Sequence, residues 1–201
     1  MASETEFTPS DARQRVLDVA EALFMQRGYH SITLRDVADA LAMRQASLYY
    51  HFPDGKEQLF VAVATRTFER HRQGMIAAIA SVPADIRTQL YAVAGWFASQ
   101  PPLNFMGMMH ADVPALSPPQ RQHLSRVAYD TMFTPLRHLF LAAQARGEIR
   151  PVRPDLLAGS FLTLLDGLNH ALRQEGAPPR AVLVAEIITI LLDGIRLQQV
   201  Q

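Results

Sequence analysis

Hydrophobic side chains recur with the helical period along most of this 201-residue chain. Between residues 11 and 28, the apolar positions follow the i, i+3, i+4, i+7 and i+8 spacing of one helical face: Val16, Val19, Ala20, Leu23 and Phe24. Comparable stripes predict a short second helix that begins at Thr33 and further helices at about 44–52, 56–80, 84–99, 117–145, 154–174 and 179–198. The sequence lacks the alternation typical of paired strands, so we predict an all-α fold.

Residues that start and stop helices mark the ends of these segments. Thr33 with Asp36 three residues later fits an N-terminal capping box, and Gly28 follows the last apolar position of the first helix. Pro135 predicts a bend within the helix at 117–145. The segment 100–120 holds five prolines, so we expect it to be irregular.

A turn at Pro53, Asp54 and Gly55 separates three short helices from the longer ones that follow. Three short helices with a tight connection between the second and the third make a helix-turn-helix. In such a motif the third helix enters the major groove of DNA. We therefore predict a helix-turn-helix DNA-binding domain at 1–53 and a second helical domain at 54–201.

The third predicted helix has an apolar side and a polar side. Leu48 and Phe52 lie four residues apart, so they share a face that fits against the second helix. Arg44, Gln45 and Tyr49 lie mostly on other faces and are free to point outward. Arg44 and Gln45 are either base-reading side chains or solvated surface residues, and the sequence leaves both interpretations open.

Phosphate contacts are expected beside this helix. Tyr49, Tyr50 and His51 each combine an apolar body with a polar tip, which suits the sugar-phosphate backbone. Lys56, the only lysine of the chain, adds a point charge at the start of the next helix. Tyr50 could equally pack inside, and His51 could cap its helix. Thr33 is at least a cap, and its hydroxyl or amide could also meet a phosphate.

These stretches resemble the DNA-binding signature of the TetR family of transcriptional regulators. The resemblance lies in TLRDVADALAMRQASLYYHFPDGKEQL at 33–59 and in RQRVLDVAEALFMQRGYHSIT at 13–33, and its specific part is Leu-Tyr-Tyr-His-Phe followed by Lys-Glu-x-Leu. It covers about the first 60 residues, and beyond them only the helical layout. Arg44 stands where the family often has a Ser or Thr cap, so the third helix must depend on packing.

The resemblance implies a homodimeric, sequence-specific repressor that binds a pseudo-palindromic operator in double-stranded DNA. A small, mostly apolar effector would release it from the operator. Together with the outward-facing positions, the resemblance gives these candidate DNA-binding residues: Thr33, Arg35, Arg44, Gln45, Ala46, Ser47, Tyr49, Tyr50, His51 and Lys56.

The second domain carries no recognisable catalytic motif. It lacks H-E-x-x-H, paired E-x-x-H and G-x-S-x-G, so we predict no enzyme activity, no metal site and no cofactor. Its soft apolar side chains fit an ordinary helical core, whereas the resemblance implies an internal ligand pocket. The expected ligand-binding residues are Trp96, Phe97, Phe105, Met109, Phe133, Phe140 and Phe161, with Asn169 and His170 (and Asp166) as polar groups that could orient the ligand.

The last two helices, at about 154–174 and 179–198, carry apolar stripes wider than one core-facing side needs. The stripes include Phe161 and Leu164 on the first helix and Ile188 on the second. A monomer would expose part of these stripes as an apolar patch. We therefore predict that the two helices pair with their symmetry mates as a four-helix bundle and form a homodimer.

Charge and composition narrow the function classes. The formal net charge is +0, and the first 70 residues hold more acidic than basic side chains, which argues against non-specific coating of nucleic acid. Cysteine is absent, no signal peptide is expected, and no segment reaches the roughly 18 apolar residues of a membrane span, so we expect a cytoplasmic protein. Two alternatives remain. One is a helical enzyme or small-molecule or lipid-binding protein with a non-functional helix-turn-helix, and the other is a helical adaptor without DNA binding.

Overall fold

The computed structural model describes residues 9–172 and 175–195, with side chains from Asp11 onward and without that of His170. Helices connected by short turns make up these ranges, which confirms the all-α prediction. The helices are α1 Pro9–Ser31, α2 Leu34–Ala40, α3 Gln45–His51, α4 Lys56–Ala80, α5 Ile86–Ser99, α6 Phe105–Gly107, α7 Pro118–Ala128, α8 Thr134–Ala145, α9 Pro154–Ala171 and α10 Arg180–Asp193.

The ends of the N-terminal helices follow the sequence signals. Gly28 has φ 74° and ψ 169°, so the helical backbone of α1 breaks where the glycine predicts it, and one further turn reaches Ser31. Only glycine adopts this backbone conformation without strain. Helix α3 lies within one residue of its predicted bounds at both ends. The predicted last turns at 173–174 and beyond 195 lie outside the described residues.

The chain divides into two compact units that are interleaved in sequence. One unit contains the residues up to Thr67 together with Gly107–Ser125, and the other contains Phe68–Met106 and the residues from Arg126 onward. Helix α4 contributes its first half to one unit and its second half to the other. Compact units do not show which residues form a functional domain, so the domains at 1–53 and 54–201 stay predictions.

The expected irregularity of the segment 100–120 takes the form of short helical turns of different types. After α6, the backbone continues as a π-helical turn at Met108–Asp112 and a 3₁₀ turn at Val113–Ala115. A residue far away in the sequence fixes the start of α6. The Asp166 carboxylate accepts hydrogen bonds from the N–H groups of Phe105 and Met106. Local proline content gives no sign of such a distant acceptor.

The long helix predicted at 117–145 is interrupted before Pro135. A π-helical turn, Tyr129–Phe133, separates α7 from α8, and Pro135 lies in the first turn of α8. Proline has no N–H and its ring crowds the preceding turn of a helix. A widened turn immediately before it accommodates both effects.

Within the described ranges, none of the helices is long and apolar enough to cross a membrane.

Candidate DNA-binding surface and ligand cleft

A capping box fixes the start of α2. The Thr33 N–H donates to Asp36 Oδ2 at 2.7 Å, and the Asp36 N–H donates to Thr33 Oγ1 at 3.2 Å. The Thr33 hydroxyl also donates to Asp36 Oδ2. This hydroxyl, followed by the backbone bond, lowers the pKa of the Asp36 carboxyl. The predicted box is therefore present, and it holds Thr33 at the exposed end of a helix.

The connection between α2 and α3 is as tight as a helix-turn-helix requires. Ala42 has a left-handed φ of 52°, which the chain tolerates in place of the more usual glycine. The Met43 N–H donates to Ala38 O at 3.0 Å and closes the end of α2. Arg44, the residue before α3, makes no side-chain capping bond. Packing must therefore hold α3 in place, as the sequence predicts.

Two side chains anchor α3 in the N-terminal unit. Leu48 and Phe52 are both 0% exposed. The guanidinium carbon of Arg13 lies 5.0 Å from the centre of the Phe52 ring. The opposite side of α3 faces outward, so the predicted division of this helix into an apolar and a polar side is correct.

Most candidate DNA-binding residues are exposed and lie on α2, on α3 or in the turn before each of these helices, whereas Lys56 begins α4. Tyr50 is 77% exposed and Tyr49 is 47% exposed, so the interpretation of Tyr50 as a packed side chain is wrong. Arg35 lies 3.8 Å from Asp39 in an exposed ion pair, which partly neutralises its charge. His51 and Lys56 are half-buried, and the exposed members are Thr33, Arg35, Arg44, Gln45, Ala46, Ser47, Tyr49 and Tyr50.

Lys56 has a specific environment that the sequence did not reveal. Its ammonium lies 4.1 Å from the centre of the Tyr29 ring, a cation–π contact. The Tyr29 N–H in turn donates to Asp112 Oδ1 at 3.1 Å. Burial lowers the pKa of Lys56, while the charges of Asp112 and Asp36 act in the opposite direction. A phosphate contact by Lys56 therefore competes with the Tyr29 ring.

A cleft lies within the C-terminal unit, between α5, α9, the start of α10 and the segment before α6. The space enclosed by its walls is small, about 20 Å³, close to what a single water molecule needs. Six of the apolar lining residues are Ala94, Phe97, Leu103, Phe105, Met132 and Leu165.

Three polar side chains reach the same cleft. Asp166 and Asn169 lie three residues apart on α9, and Arg180 opens α10. Arg180 Nη2 donates to Asn169 Oδ1 at 2.9 Å. Burial raises the pKa of the Asp166 carboxyl, although the hydrogen bonds from Met106 and Phe105 act in the opposite direction. Arg180 was not among the residues that the sequence suggested, because it lies next to a proline-rich turn and no pattern connects it to α9.

The cleft brings together only some of the predicted ligand-binding residues. Phe97, Phe105 and Asn169 line it. Phe140 and Phe161 are 0% exposed and belong to the core of the same unit. The remaining predicted positions lie elsewhere: Trp96 and Phe133 are half-buried outside the lining, Met109 belongs to the N-terminal unit, and the side chain of His170 lies outside the described residues.

A buried histidine stands behind one wall of the cleft. His71 is 1% exposed and its ring stacks on Phe97 with the ring centres 4.9 Å apart. The Trp96 indole N–H donates to His71 Nδ1 at 3.3 Å, so the neutral tautomer of His71 carries its proton on Nε2. This pair supports Phe97 in the cleft wall. Among the described residues, His, Cys, Asp and Glu side chains form no cluster of three that could hold a metal ion.

Comparison with known proteins decides the nature of the N-terminal region. The model of the family described as "Bacterial regulatory proteins, tetR family" matches residues 16–63. This chain carries a TetR-family DNA-binding domain. The matched segment contains α2, α3 and the turn between them, so the resemblance predicted from the sequence is confirmed.

Relatives of the TetR-family domain are transcriptional regulators. The HTH-type transcriptional regulator LmrA of Bacillus subtilis (strain 168) is 38% identical over 63 residues, which are 31% of this chain and 34% of LmrA. The alignment thus spans about a third of the length of that relative. The family model likewise matches a limited part of the chain, residues 16–63.

Solved structures share the fold over nearly the whole chain. A putative transcriptional regulator from Saccharomonospora viridis in complex with choline superposes with a TM-score of 0.74 at 23% identity, and the match covers 92% of this chain and 98% of that one. AibR in complex with isovaleryl coenzyme A and operator DNA gives a TM-score of 0.73 at 21% identity, covering 90% and 97%. The chain therefore shares its fold with these two solved structures over most of its length.

Proposed function

We propose that this protein is a ligand-responsive, sequence-specific DNA-binding transcriptional regulator, and that it is a repressor which a small effector releases from a pseudo-palindromic operator. The observation that carries the proposal is the outward face of α3 within the TetR-family domain. Leu48 and Phe52 are buried, while Arg44, Gln45, Tyr49 and Tyr50 are all exposed. The neighbouring exposed rings of Tyr49 and Tyr50, rimmed by polar side chains, support an interaction surface on this helix.

The candidate DNA-binding residues divide into two proposed roles. Arg44 and Gln45 lie at the N-terminal end of α3, where the residues of a recognition helix reach base edges. Thr33, Tyr49, Tyr50, His51 and Lys56 are proposed to position the domain on phosphates, which fix the register but read no sequence. Arg35, Ala46 and Ser47 complete the surface and are proposed to line the groove.

The cleft beside Phe97 and Phe105 is the proposed effector site. The two structural neighbours described above hold ligands of very different chemistry, a quaternary ammonium and an acyl coenzyme A. Likeness in fold therefore supports a small-molecule site without specifying its ligand. An effector would act by favouring a dimer geometry in which the two recognition helices no longer match groove positions about 34–36 Å apart.

The proposed dimer uses the exposed apolar side chains of α9 and α10. Leu164 is 40% exposed and Ile190 is 73% exposed. By contrast, Phe161 and Ile188 are both 0% exposed, so these two members of the predicted stripes pack inside their own chain. A Cβ atom on Gly167 would meet nothing within 4 Å, which leaves room for a partner helix. We propose that α9 and α10 pair with their symmetry mates through this outer face.

A shift assay tests the proposed function. The unmodified protein is titrated against the DNA upstream of its own gene and against a scrambled duplex of equal length and composition. At physiological salt, we expect a slower-migrating complex of the protein with the upstream DNA. An excess of unlabelled upstream DNA should displace the labelled DNA from this complex, whereas the scrambled duplex should not. Equal binding to both duplexes, or binding to neither, would contradict the proposal that the protein recognises a specific site upstream of its own gene.

A further inference from the structure

Lys56 lies against an aromatic ring within the N-terminal unit. Its ammonium is 4.1 Å from the centre of the Tyr29 ring, and both side chains are half-buried. The face of an aromatic ring carries the negative part of its quadrupole, so this contact stabilises the ammonium. The only lysine of the chain is therefore held by a contact inside its own unit.

Tyr29 is itself fixed at two points. Its backbone N–H donates to Asp112 Oδ1 at 3.1 Å, and its ring packs against Phe60 with the ring centres 4.8 Å apart. The hydrogen bond to the carboxylate is charge-assisted, and such bonds are roughly twice as strong as neutral ones. It follows directly after Gly28, where the helical backbone of α1 is interrupted. A ring held in this way is not free to follow the ammonium when the ammonium moves.

Two carboxylates attract the same ammonium. Burial lowers the pKa of Lys56, whereas the charges of Asp112 and Asp36 act in the opposite direction. Negative charges that favour the protonated amine also draw it toward them. Asp112 ends the π-helical turn Met108–Asp112, and Asp36 lies in the first turn of α2. The ring and the two carboxylates therefore act together on Lys56.

The segment that carries Asp112 belongs to the N-terminal unit. Gly107–Ser125 are grouped with the residues up to Thr67, although the segment matched by the family model ends at residue 63. A second carboxylate fixes this segment, since Glu57 Oε1 accepts the N–H of Ser117 at 2.7 Å and its hydroxyl at 2.5 Å. Asp112 therefore keeps a defined position within this unit.

We infer that Tyr29 and Asp112 restrain Lys56 and thereby weaken DNA binding, because the lysine must leave the Tyr29 ring before it contacts a phosphate. This inference rests on the proposed function, and it adds a restraint to the phosphate-contacting surface. The restraint acts alike on all DNA sequences, since phosphate contacts carry no sequence information. Weakening the ring contact should therefore tighten DNA binding, whereas deleting the lysine should weaken it.

The test changes the electrostatics of the ring and nearly keeps its size. Phenylalanine and pentafluorophenylalanine are placed in turn at position 29 of the full-length protein, and the fluorine atoms reverse the quadrupole of the second ring. Fluorescence anisotropy measures the affinity for the upstream and the scrambled duplex, at a salt concentration at which both bind. We expect the fluorinated form to bind both duplexes about fivefold more tightly than the Tyr29→Phe form, because each subunit of a dimer loses one cation–π contact. Equal affinities, or weaker binding by the fluorinated form, overturn the inference.

A second pair of proteins shows whether this gain depends on the lysine. Lys56→Met keeps the apolar part of the side chain and removes its charge. In this background the two rings should give the same DNA affinity within a factor of about two. A gain of full size without the lysine would overturn the inference. Tyr91, which is exposed on α5, provides the control ring, and the same two residues at position 91 should leave the affinity unchanged.

Asp112→Asn tests the carboxylate. The amide keeps an oxygen that accepts the Tyr29 N–H, and the negative charge is lost. This substitution should tighten DNA binding more in the unmodified protein than in the Lys56→Met background, and the excess measures the effect that passes through the lysine. The same gain in both backgrounds would show that Asp112 only repels phosphates directly, and would overturn its assigned role.

Chemical denaturation without DNA tests the ring contact separately. Lys56→Met should lower the folding equilibrium constant about two- to fivefold more with phenylalanine than with pentafluorophenylalanine at position 29. DNA bound equally well by both ring forms would refute the restraint and leave the regulator intact. Failure of every form to bind either duplex, with this difference in stability present, would count against the regulator and overturn the inference with it.

Discussion

The indole ring of Trp96 occupies the space in which Gly74 has no side chain. A Cβ atom on Gly74 would lie 2.0 Å from Trp96 Cε2, far inside the van der Waals limit. Glycine weakens a helix interior, and Gly74 lies inside the C-terminal half of α4. The close approach of the Trp96 ring requires a residue without a side chain at position 74. In this position the indole N–H lies against buried His71, which stacks on Phe97 in the cleft wall.

Replacing Gly74 by alanine should therefore expel the ring. We expect Gly74→Ala to lower the free energy of unfolding by about 1–3 kcal/mol, the usual range for overpacking, despite the better helix propensity of alanine. Since Trp96 is the only tryptophan, its fluorescence emission should shift toward the wavelength of an exposed indole. Chemical denaturation followed by this fluorescence measures both effects.

Gly95→Ala is the matched control, since Gly95 precedes Trp96 on α5 and a Cβ atom there meets nothing within 4 Å. This substitution should leave the emission unchanged and raise the free energy of unfolding by up to about 1 kcal/mol. If the two variants were equally stable and spectrally identical, the close packing of Trp96 on Gly74 would be wrong.

The capping box gives α2 a pH-dependent contribution to stability. The hydrogen bonds from Thr33 hold the pKa of Asp36 below its ordinary value, so the folded state releases this proton more readily than the unfolded state. This contribution to the free energy of unfolding is therefore fully present at pH values above the ordinary carboxyl pKa. It is lost as the pH falls through the lowered pKa of Asp36. Asp36→Asn should be less stable than the unmodified protein near neutral pH, and the difference should shrink as the pH falls below the ordinary carboxyl range.

Thermal unfolding of the two proteins across this range measures the difference. Asp39→Asn, a substitution at an exposed position in the same helix, serves as the control for loss of a surface charge. The box would be unimportant if Asp36→Asn and Asp39→Asn followed the same pH profile. Thr33→Ala should cost about 1 kcal/mol, as expected for loss of an N-cap.

The proposed base and phosphate contacts predict different responses to mutation. Arg44→Ala should change the base preference at one operator position, at a cost of about 1–3 kcal/mol. Tyr49→Phe and Lys56→Ala should weaken binding to all sites alike. Loss of the Lys56 contact should also reduce the slope of log affinity against log salt by about 1. Fluorescence anisotropy with a labelled operator at several salt concentrations separates these effects.

Arg126→Ala is the control for these variants, because Arg126 is exposed at the end of α7, away from α2 and α3 in the sequence. Its affinity and salt slope should match those of the unmodified protein within a factor of about two. Unchanged affinity in the combined Tyr49→Phe and Lys56→Ala variant would show that the assigned phosphate contacts are wrong.

The proposed dimer interface predicts the oligomeric state of surface variants. Leu164→Asp together with Ile190→Asp should give a folded monomer that no longer binds the palindrome, since both side chains are exposed in the single chain. Sedimentation at micromolar concentration gives the mass, and circular dichroism checks that the helices remain. Leu141→Asp on α8, where Leu141 is 38% exposed, should leave a dimer. A double variant that still sediments as a dimer would place the interface elsewhere.

Helices and their caps were predictable because their signals are local. The i, i+4 spacing of Leu48 and Phe52 correctly separated the buried from the exposed side of α3, and Thr33 with Asp36 correctly marked the start of α2. Both depend on residues within one or two turns. The interruption of the helical backbone of α1 at Gly28 was predictable for the same reason.

The cleft was only partly predictable, because size and hydrophobicity do not distinguish a core residue from a pocket residue. Phe140 and Phe97 look alike in sequence, yet the first is fully buried and the second lines the cleft. The order at 105–115 was missed for a related reason: its acceptor, Asp166, lies about 60 residues away. Non-local partners of this kind become visible only in the folded chain.

The position of Lys56 over the Tyr29 ring has a practical consequence for spectroscopy. Because no other lysine exists in the chain, reductive methylation with isotope-labelled formaldehyde places a single labelled dimethylamino group on a side chain. Methyl groups held above an aromatic ring resonate upfield, through the shielding of its ring current, and return toward ordinary shifts when they leave it. One NMR signal can therefore report, atom by atom, whether this amine stays on Tyr29 or moves to a phosphate.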